Sequence, residues 1–160
     1  MTPPGAPPPG VHVRTARPAD YDRIAPVVDA WWGRPVLPLL PRLFLSLFWS
    51  TSLVAERDGE LAGFLVGLDS PSDAVTSYVH FLGVSPAERG TGLGHLLHTR
   101  FADRATAAGR RRVQAVTSPA NEPSIAFHQA IGFTVTGPVA GHNGPGTSHI
   151  LFERPLTPPS

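Results

Sequence analysis

The stretch VSPAERGTGLGHLLHTRF, residues 84–101, constrains this chain more than any other. Glycines stand at alternate positions, Gly90, Gly92 and Gly94, directly before a helix-like apolar pattern. Glycine inside a regular element costs about 0.5–1 kcal/mol relative to alanine, so the bare backbone must serve another purpose. Upstream, SYVHFLGVS at 77–85 is rich in β-formers and reads as a strand. Strand, glycine turn and helix form an α/β unit whose first helical amides lack internal partners. Those amides and the helix dipole favour an anion. Glycine lets the backbone approach that anion with no Cβ in the way. The pattern therefore predicts an anion cradle before the helix.

The remaining elements follow from spacing. VHVRTA, 11–16, alternates valines as a strand does. Between Tyr21 and Trp32, the residues Ile24, Val27, Val28 and Trp31 fall at helical spacing. Asp20 is a candidate N-cap, and Pro26 bends that helix or delays its start. Residues 39–50 predict a second, strongly apolar helix, and 53–68 a hairpin about Asp58-Gly59. The helix after the glycine turn runs from about Gly92 to Ala108, where Gly109 ends it. A strand at 111–118, a short helix at 121–133 under Asn121, the strand FTVTG and a last strand at 149–156 complete the chain. The order β-α-α-β-β-β-α-β-α-β-β implies a mixed α/β sheet. Residues 1–10 read as a disordered Pro/Gly-rich tail, 11–156 as one domain and 157–160 as a frayed end.

Composition narrows the function classes. A net charge of +1 lacks the clustered positive surplus that nucleic acid requires. No apolar run approaches the roughly 18 residues of a membrane span. MTPPGAPPPG has neither the basic start nor the apolar stretch of a secretory signal, so a cytoplasmic protein is expected. All 13 Lys+Arg residues are arginine, alongside 19 prolines, a composition suggesting a high-GC bacterial genome. The absence of cysteine removes disulfides, thiolate metal sites and a cysteine-linked acyl-enzyme. His95 and His98 lie three apart without a third ligand at sensible spacing, so no metal is expected.

Three cradle types compete. A P-loop needs lysine and Ser or Thr after its last glycine, where this chain has His95 and Leu96. A dinucleotide fingerprint started at Gly90 would need its third glycine at His95. What remains is R-x-x-G-x-G: Arg89, Gly92 and Gly94. It resembles the coenzyme A signature of the GNAT superfamily of N-acetyltransferases. The context LGVSPAERGTGLG, Leu82 to Gly94, resembles it too. So does a second motif made by Asn121, Ser124, Phe127, His128, Gly132 and Phe133. The resemblance covers about 11–155 and implies the GNAT acyl-CoA N-acyltransferase fold. That fold has a mixed, mostly antiparallel sheet with a splayed central strand pair, and about four helices.

The resemblance also implies roles. The main chain of Leu82, Gly83 and Val84 would pair with the pantetheine arm of acetyl-CoA. The amides of Arg89, Gly90, Thr91, Gly92, Leu93, Gly94 and His95 would hold its pyrophosphate. The Arg89 side chain either adds charge or is solvated. Asn121 matches the pantetheine contact and is also a helix N-cap, and Ser124 is a further cofactor contact. Relatives often carry tyrosine where this chain has His128, as acid for the leaving thiolate; His128 is either that acid or a bystander. On SYVHFLGV, relatives often keep the base that deprotonates the amine. His80 is the better base and Tyr78 the second, while His80 as a plain strand residue stays open. Trp31, Trp32 and Arg34 fall where relatives wall the acceptor, or else pack as core and surface. His142 and His149 flank a glycine loop where relatives often close over the acceptor, and loop polarity explains them equally well.

The function implied is transfer of an acetyl group from acetyl-CoA to a primary amine by direct attack, without an acyl-enzyme. A non-catalytic acyl-CoA sensor and transfer of a longer acyl group are the alternatives. The acceptor is a small-molecule amine or, second, a protein amine. No nucleic acid, membrane or metal takes part, and a homodimer is left open.

Overall fold

Among the described residues, seven strands and four α-helices follow one another in the order read from the sequence. This computed structural model describes residues 6–158; residues 1–5 of the expected tail and 159–160 of the expected frayed end lie outside the described residues. The strands are Val11–Thr15 (β1), Leu53–Arg57 (β2), Glu60–Asp69 (β3), Thr76–Val84 (β4), Arg112–Thr117 (β5), Thr134–Ala140 (β6) and Ser148–Pro155 (β7). The α-helices are Tyr21–Trp32 (α1), Leu43–Phe48 (α2), Leu93–Ala107 (α3) and Glu122–Ala130 (α4). No described helix is long and apolar enough to cross a membrane.

One expected element differs. The apolar run 39–50 is not a single helix: Leu37–Leu39 and Trp49–Thr51 are 3₁₀ turns flanking the six-residue α2. Pro41 supplies no amide and leaves Leu40 before it at φ −130°, ψ 67°, outside helical geometry, so the helix cannot start earlier. The apolar spacing nonetheless reports burial, since Leu40 and Leu45 have no exposed surface. Pro26 sits inside α1 and the helix runs through it, because Ile24 and Val28 on either side are fully buried. Tertiary packing there outweighs the one lost hydrogen bond.

The contacts divide into two compact units. One holds the chain up to Leu68 together with Val79–Arg104; the other holds Asp69–Tyr78 and the chain from Ala105 onward. In the first, the strand order is β1-β2-β3-β4, with β1 antiparallel to β2 and β2 to β3. Its core gathers Ile24, Val28, Leu40, Leu45, Phe64 and Phe81, with Trp31 and Trp32 packed against them. In the second, β5 pairs antiparallel with β7, and β7 with β6. The start of β4 runs parallel to β5 over three residue pairs, Thr76–Tyr78 with Arg112–Gln114. The mixed, mostly antiparallel sheet matches the expected fold class.

An ion-pair group ties α1 to β1 and β2. Asp20, just before α1, accepts two bonds from Arg14 at 2.9 and 2.8 Å and one from the Arg17 amide at 2.7 Å. Burial alone would raise the Asp20 carboxyl; the Arg14 and Arg17 bonds outweigh it and hold the pKa below 3.8. The group therefore stabilises the fold above the ordinary carboxylate range, and this contribution fades as pH falls through the depressed folded value. Asp20→Ala leaves Arg14, which is half-buried, with Glu56 as its remaining carboxylate partner. A loss of about 2 kcal/mol, that of hydrogen bonds to a charged group, is expected in urea unfolding at pH 7, shrinking as the experiment is repeated toward pH 3. An equal loss at both pH values would show that the charge contributes nothing.

Candidate active site

The first unit holds the glycine turn. Gly90 and Gly92 have φ of +81° and +86°, which side chains with a Cβ avoid. A Cβ at either would meet no protein atom within 4 Å, so conformation and not packing demands glycine, and the space outside the turn is open. The Leu96 amide bonds to the Gly92 carbonyl at 3.0 Å, which makes Gly92 the residue that opens α3. The amides of Gly92, Leu93, Gly94 and His95 are thus those a helix cannot use internally. Two amides named from the sequence are occupied: Arg89 N–H donates to Pro86 and Thr91 N–H to Glu88, at 3.4 and 3.3 Å. Beneath the turn, the buried Glu88 carboxylate is paired with Arg57. The Arg57 bond holds its carboxyl below the usual value against the opposing effect of burial. This pairing offsets a negative charge that would repel an anion at the turn.

The Arg89 side chain, exposed, donates to the Trp31 carbonyl at 2.5 Å and so caps the last turn of α1. This guanidinium ties the turn to the end of α1. Trp31 and Trp32 are half-buried and both pack on Phe64, at centroid distances of 6.0 and 6.1 Å. Trp32 also meets Phe81 at 5.2 Å. Arg34, beyond Gly33, is exposed. On β4, Gly83 faces this layer: a Cβ there would lie 2.5 Å from Phe64 and 3.0 Å from Trp32. Glycine at 83 is what lets the aromatic layer close onto the strand whose main chain the resemblance assigns to the cofactor. Leu82 and Val84, on either side, are half-buried.

His80 is fixed from α2 and the turn before it. Its ring stacks on Phe44, centroids 4.0 Å apart and planes within 11°. Nε2 lies 2.7 Å from the Leu39 carbonyl. A carbonyl can only accept, so Nε2 carries the hydrogen and Nδ1 the lone pair. Burial pushes the ring below its ordinary 6.5, partly offset by the Leu39 bond. A neutral, oriented imidazole at neutral pH is the form a general base needs. Neither Leu39 nor Phe44 stands out in the sequence as a site residue, because each lies some forty positions from its partner.

The second unit holds the other named residues. Asn121 caps α4: its side-chain oxygen accepts from the Ser124 amide at 3.3 Å, and its Nδ2 donates to Thr117 at 3.1 Å. His128 is buried, with its ring flat on Phe152 at 4.0 Å and 4°. Its Nδ1 sits 2.7 Å from the Ser124 carbonyl and 3.3 Å from the Ser124 hydroxyl. Burial lowers its pKa, against that backbone bond. The hydrogen of neutral His128 is therefore committed to a backbone carbonyl. Tyr78 is half-buried and its hydroxyl pKa is raised by burial, which keeps it protonated. His142 and His149 approach each other at 6.1 Å between ring centroids. Among the described residues no group of three His, Cys, Asp or Glu could hold a metal.

Comparison with known proteins bears on this geometry. Residues 21–133 match the acetyltransferase (GNAT) family. An L-2,4-diaminobutyric acid acetyltransferase of Nocardia farcinica is 38% identical over 84 residues, covering 52% of this chain and 44% of that protein. A mycothiol acetyltransferase of Sanguibacter keddieii is 33% identical over 139 residues, covering 79% of this chain and 44% of that one. The chain thus spans about half the length of these curated relatives. Among solved structures, a GNAT-family protein from Desulfovibrio desulfuricans superposes with a TM-score of 0.80 at 19% identity, over 92% of this chain and 99% of that one.

Proposed function

The chain belongs to the acetyltransferase (GNAT) family, and from that premise we propose that it transfers an acetyl group from acetyl-CoA to the primary amine of a small molecule. The observation that carries this reading is the glycine turn: free helical amides, positive-φ glycines and open space before them fit a pyrophosphate. The amides of Gly90 and Gly92 to His95 would hold it, and the main chain of Leu82 and Val84 would align the pantetheine arm. In the second unit, Asn121 and Ser124 share a capping bond and are the residues that the family pattern makes candidates for a cofactor contact. When bound, acetyl-CoA supplies an activated acyl group as a thioester.

His80 then does the remaining work of the chain. The acceptor arrives as an ammonium and must lose a proton before its nitrogen can attack the carbonyl carbon. Nδ1 of His80 takes that proton, directly or through a water, while the Leu39 bond stabilises the imidazolium so formed. No enzyme nucleophile is needed, and the chain has no cysteine to serve as one. His128 receives no proton-transfer role here: its hydrogen is held by Ser124 and burial disfavours its charged form. The C–S bond breaks as the tetrahedral carbon collapses, and the departing thiolate takes up the proton that the acylated nitrogen sheds.

The test is CoA release on mixing the protein and acetyl-CoA with a panel of amines that includes L-2,4-diaminobutyrate, an amino-sugar and a peptide. Amine-dependent release supports the reading. Tight acetyl-CoA binding without release for any amine would point instead to a sensor, and faster release from longer thioesters to a different acyl donor. With an acceptor in hand, Trp32→Ala and Arg34→Ala are expected to raise its KM severalfold and leave that of acetyl-CoA in place. If both constants move together, the tryptophan layer only supports the turn.

A further inference from the structure

We propose that the chain has a second small-molecule site, for a small organic anion bearing carboxylate or phosphate oxygens, in a cleft between the edge strand β1 and the second half of α3. The site goes beyond the acetyltransferase reading and shares no residue with it.

The first observation is the cleft and the reason it exists. Val13 lies opposite Ala55 and Thr15 opposite Leu53. Ala55 in turn lies opposite Gly63, and Leu53 opposite Leu65. Directly paired residues project to the same face of a sheet. That face is the one α3 covers. A Cβ on Gly63 would come within 3.2 and 3.3 Å of Leu93 and Leu97, and a Cβ on Gly67 would strike the Phe101 ring. The two glycines thus draw α3 down onto β3. A helix seated there reaches about 5–6 Å to either side. β1, the edge strand, lies two strands and about 10 Å away. A cavity of about 320 Å³ remains, floored by Val13, Thr15 and Leu53 and walled by Ser50, Arg100 and Arg104. That is the lower end of the roughly 300–1,000 Å³ of small-molecule sites.

The second observation is the chemistry of the lining. Arg100 and Arg104 stand one turn apart on α3 and so project together. Like charges at that spacing weaken a helix, and an anion between them removes the penalty. The Arg104 guanidinium lies over the Phe101 ring, 5.0 Å from its centroid, and Phe101 is fully buried. Stacking fixes the plane of the guanidinium fork, the shape that matches a carboxylate or a phosphate. Thr15 and Ser50 add hydroxyls, while Val13 and Leu53 suit the carbon body of an organic ligand. Among the described residues no Asp or Glu lines the cavity. Arg14 also borders it, but Asp20 and Glu56 already hold that guanidinium, so the charge offered comes from Arg100 and Arg104.

The third observation is distance from the glycine turn. Arg100 and Arg104 lie eight and twelve residues beyond Gly92, about 12 and 18 Å along the helix axis. A diphosphate seated on the first amides of α3 does not reach them. The cleft and the turn can therefore be filled at the same time.

The experiment is calorimetry with citrate, glycerol 3-phosphate and inorganic phosphate at low ionic strength, run with and without acetyl-CoA. At least one of the two organic anions is expected to bind with a millimolar or tighter Kd, acetyl-CoA present or not. Tighter citrate assigns the cleft to carboxylates and tighter glycerol 3-phosphate to phosphate esters, and either supports the site. Arg100→Gln, at an exposed position, should weaken that binding tenfold or more. Thr15→Glu, also exposed, places a carboxylate in the cleft and should abolish it, which reads the site even if Arg100→Gln lowers Tm. Arg111→Gln, an exposed arginine outside the cleft, should leave it unchanged. No heat from either organic anion overturns the proposal. So does equal weakening in Arg111→Gln, or inorganic phosphate binding as tightly as the organic anions, since both mark capture of any ion by surface charge. Binding that acetyl-CoA displaces puts the anion in the glycine turn and overturns it too. If acetyl-CoA itself fails to bind, the acetyltransferase reading falls while the anion titrations still decide the cleft.

Discussion

His80→Ala is expected to lower kcat about 10²-fold, the usual size of a lost general base, with the Kd of acetyl-CoA unchanged. The wild-type rate should fall on acidification with a midpoint below 6.5, because the buried ring must be neutral to accept a proton and burial depresses its pKa. In the variant that acidic limb should vanish. His80 also braces Phe44 and Leu39, so a loss of rate could arise from a loosened α2. His80→Gln separates the two causes. Its side-chain amide can still donate to the Leu39 carbonyl, so it should restore Tm and the acceptor KM and leave kcat as low as in His80→Ala. If His80→Gln recovers kcat, or if His80→Ala keeps the acidic limb, His80 is a positioning residue and the base lies elsewhere.

Gly92→Val should weaken acetyl-CoA by at least tenfold, about 1.4 kcal/mol, as measured by calorimetry. The branched side chain would project into the open space before the turn, where the proposed pyrophosphate approaches. The new Cβ meets no protein atom within 4 Å, so the fold suffers only the cost of φ +86°, about 1–2 kcal/mol. Gly109→Val supplies the control. Gly109 has φ +82° and equally open surroundings, but lies at the far end of α3. It should lower Tm by a similar amount and leave the acetyl-CoA Kd alone. Equal Kd values in the wild type and Gly92→Val would remove the cradle from this loop.

Much of the architecture is legible in the chain because its signals are local. The Asp58-Gly59 turn, the alternation in β1, the glycines ahead of α3 and Asn121 ahead of α4 each act over a few residues, and each appears where spacing put it. The break of 39–50 was legible as well, in Pro41, but a strong apolar period masked it. The period reported which side chains are buried and said nothing about backbone continuity.

The site divides along the same line. The positive-φ glycines and the first amides of α3 come from one contiguous segment, so the chain alone fixed the backbone geometry for which the anion cradle is proposed. What surrounds it was decided only by tertiary structure. Arg89 caps α1 by reaching Trp31, 58 residues away. Glu88 is neutralised by Arg57, 31 residues away. His80 owes its tautomer, orientation and lowered pKa to Leu39 and Phe44. The physical reason is range: backbone conformation and capping are set by neighbours in the chain, whereas desolvation and charge pairing depend on which distant segments the fold brings within a few ångströms.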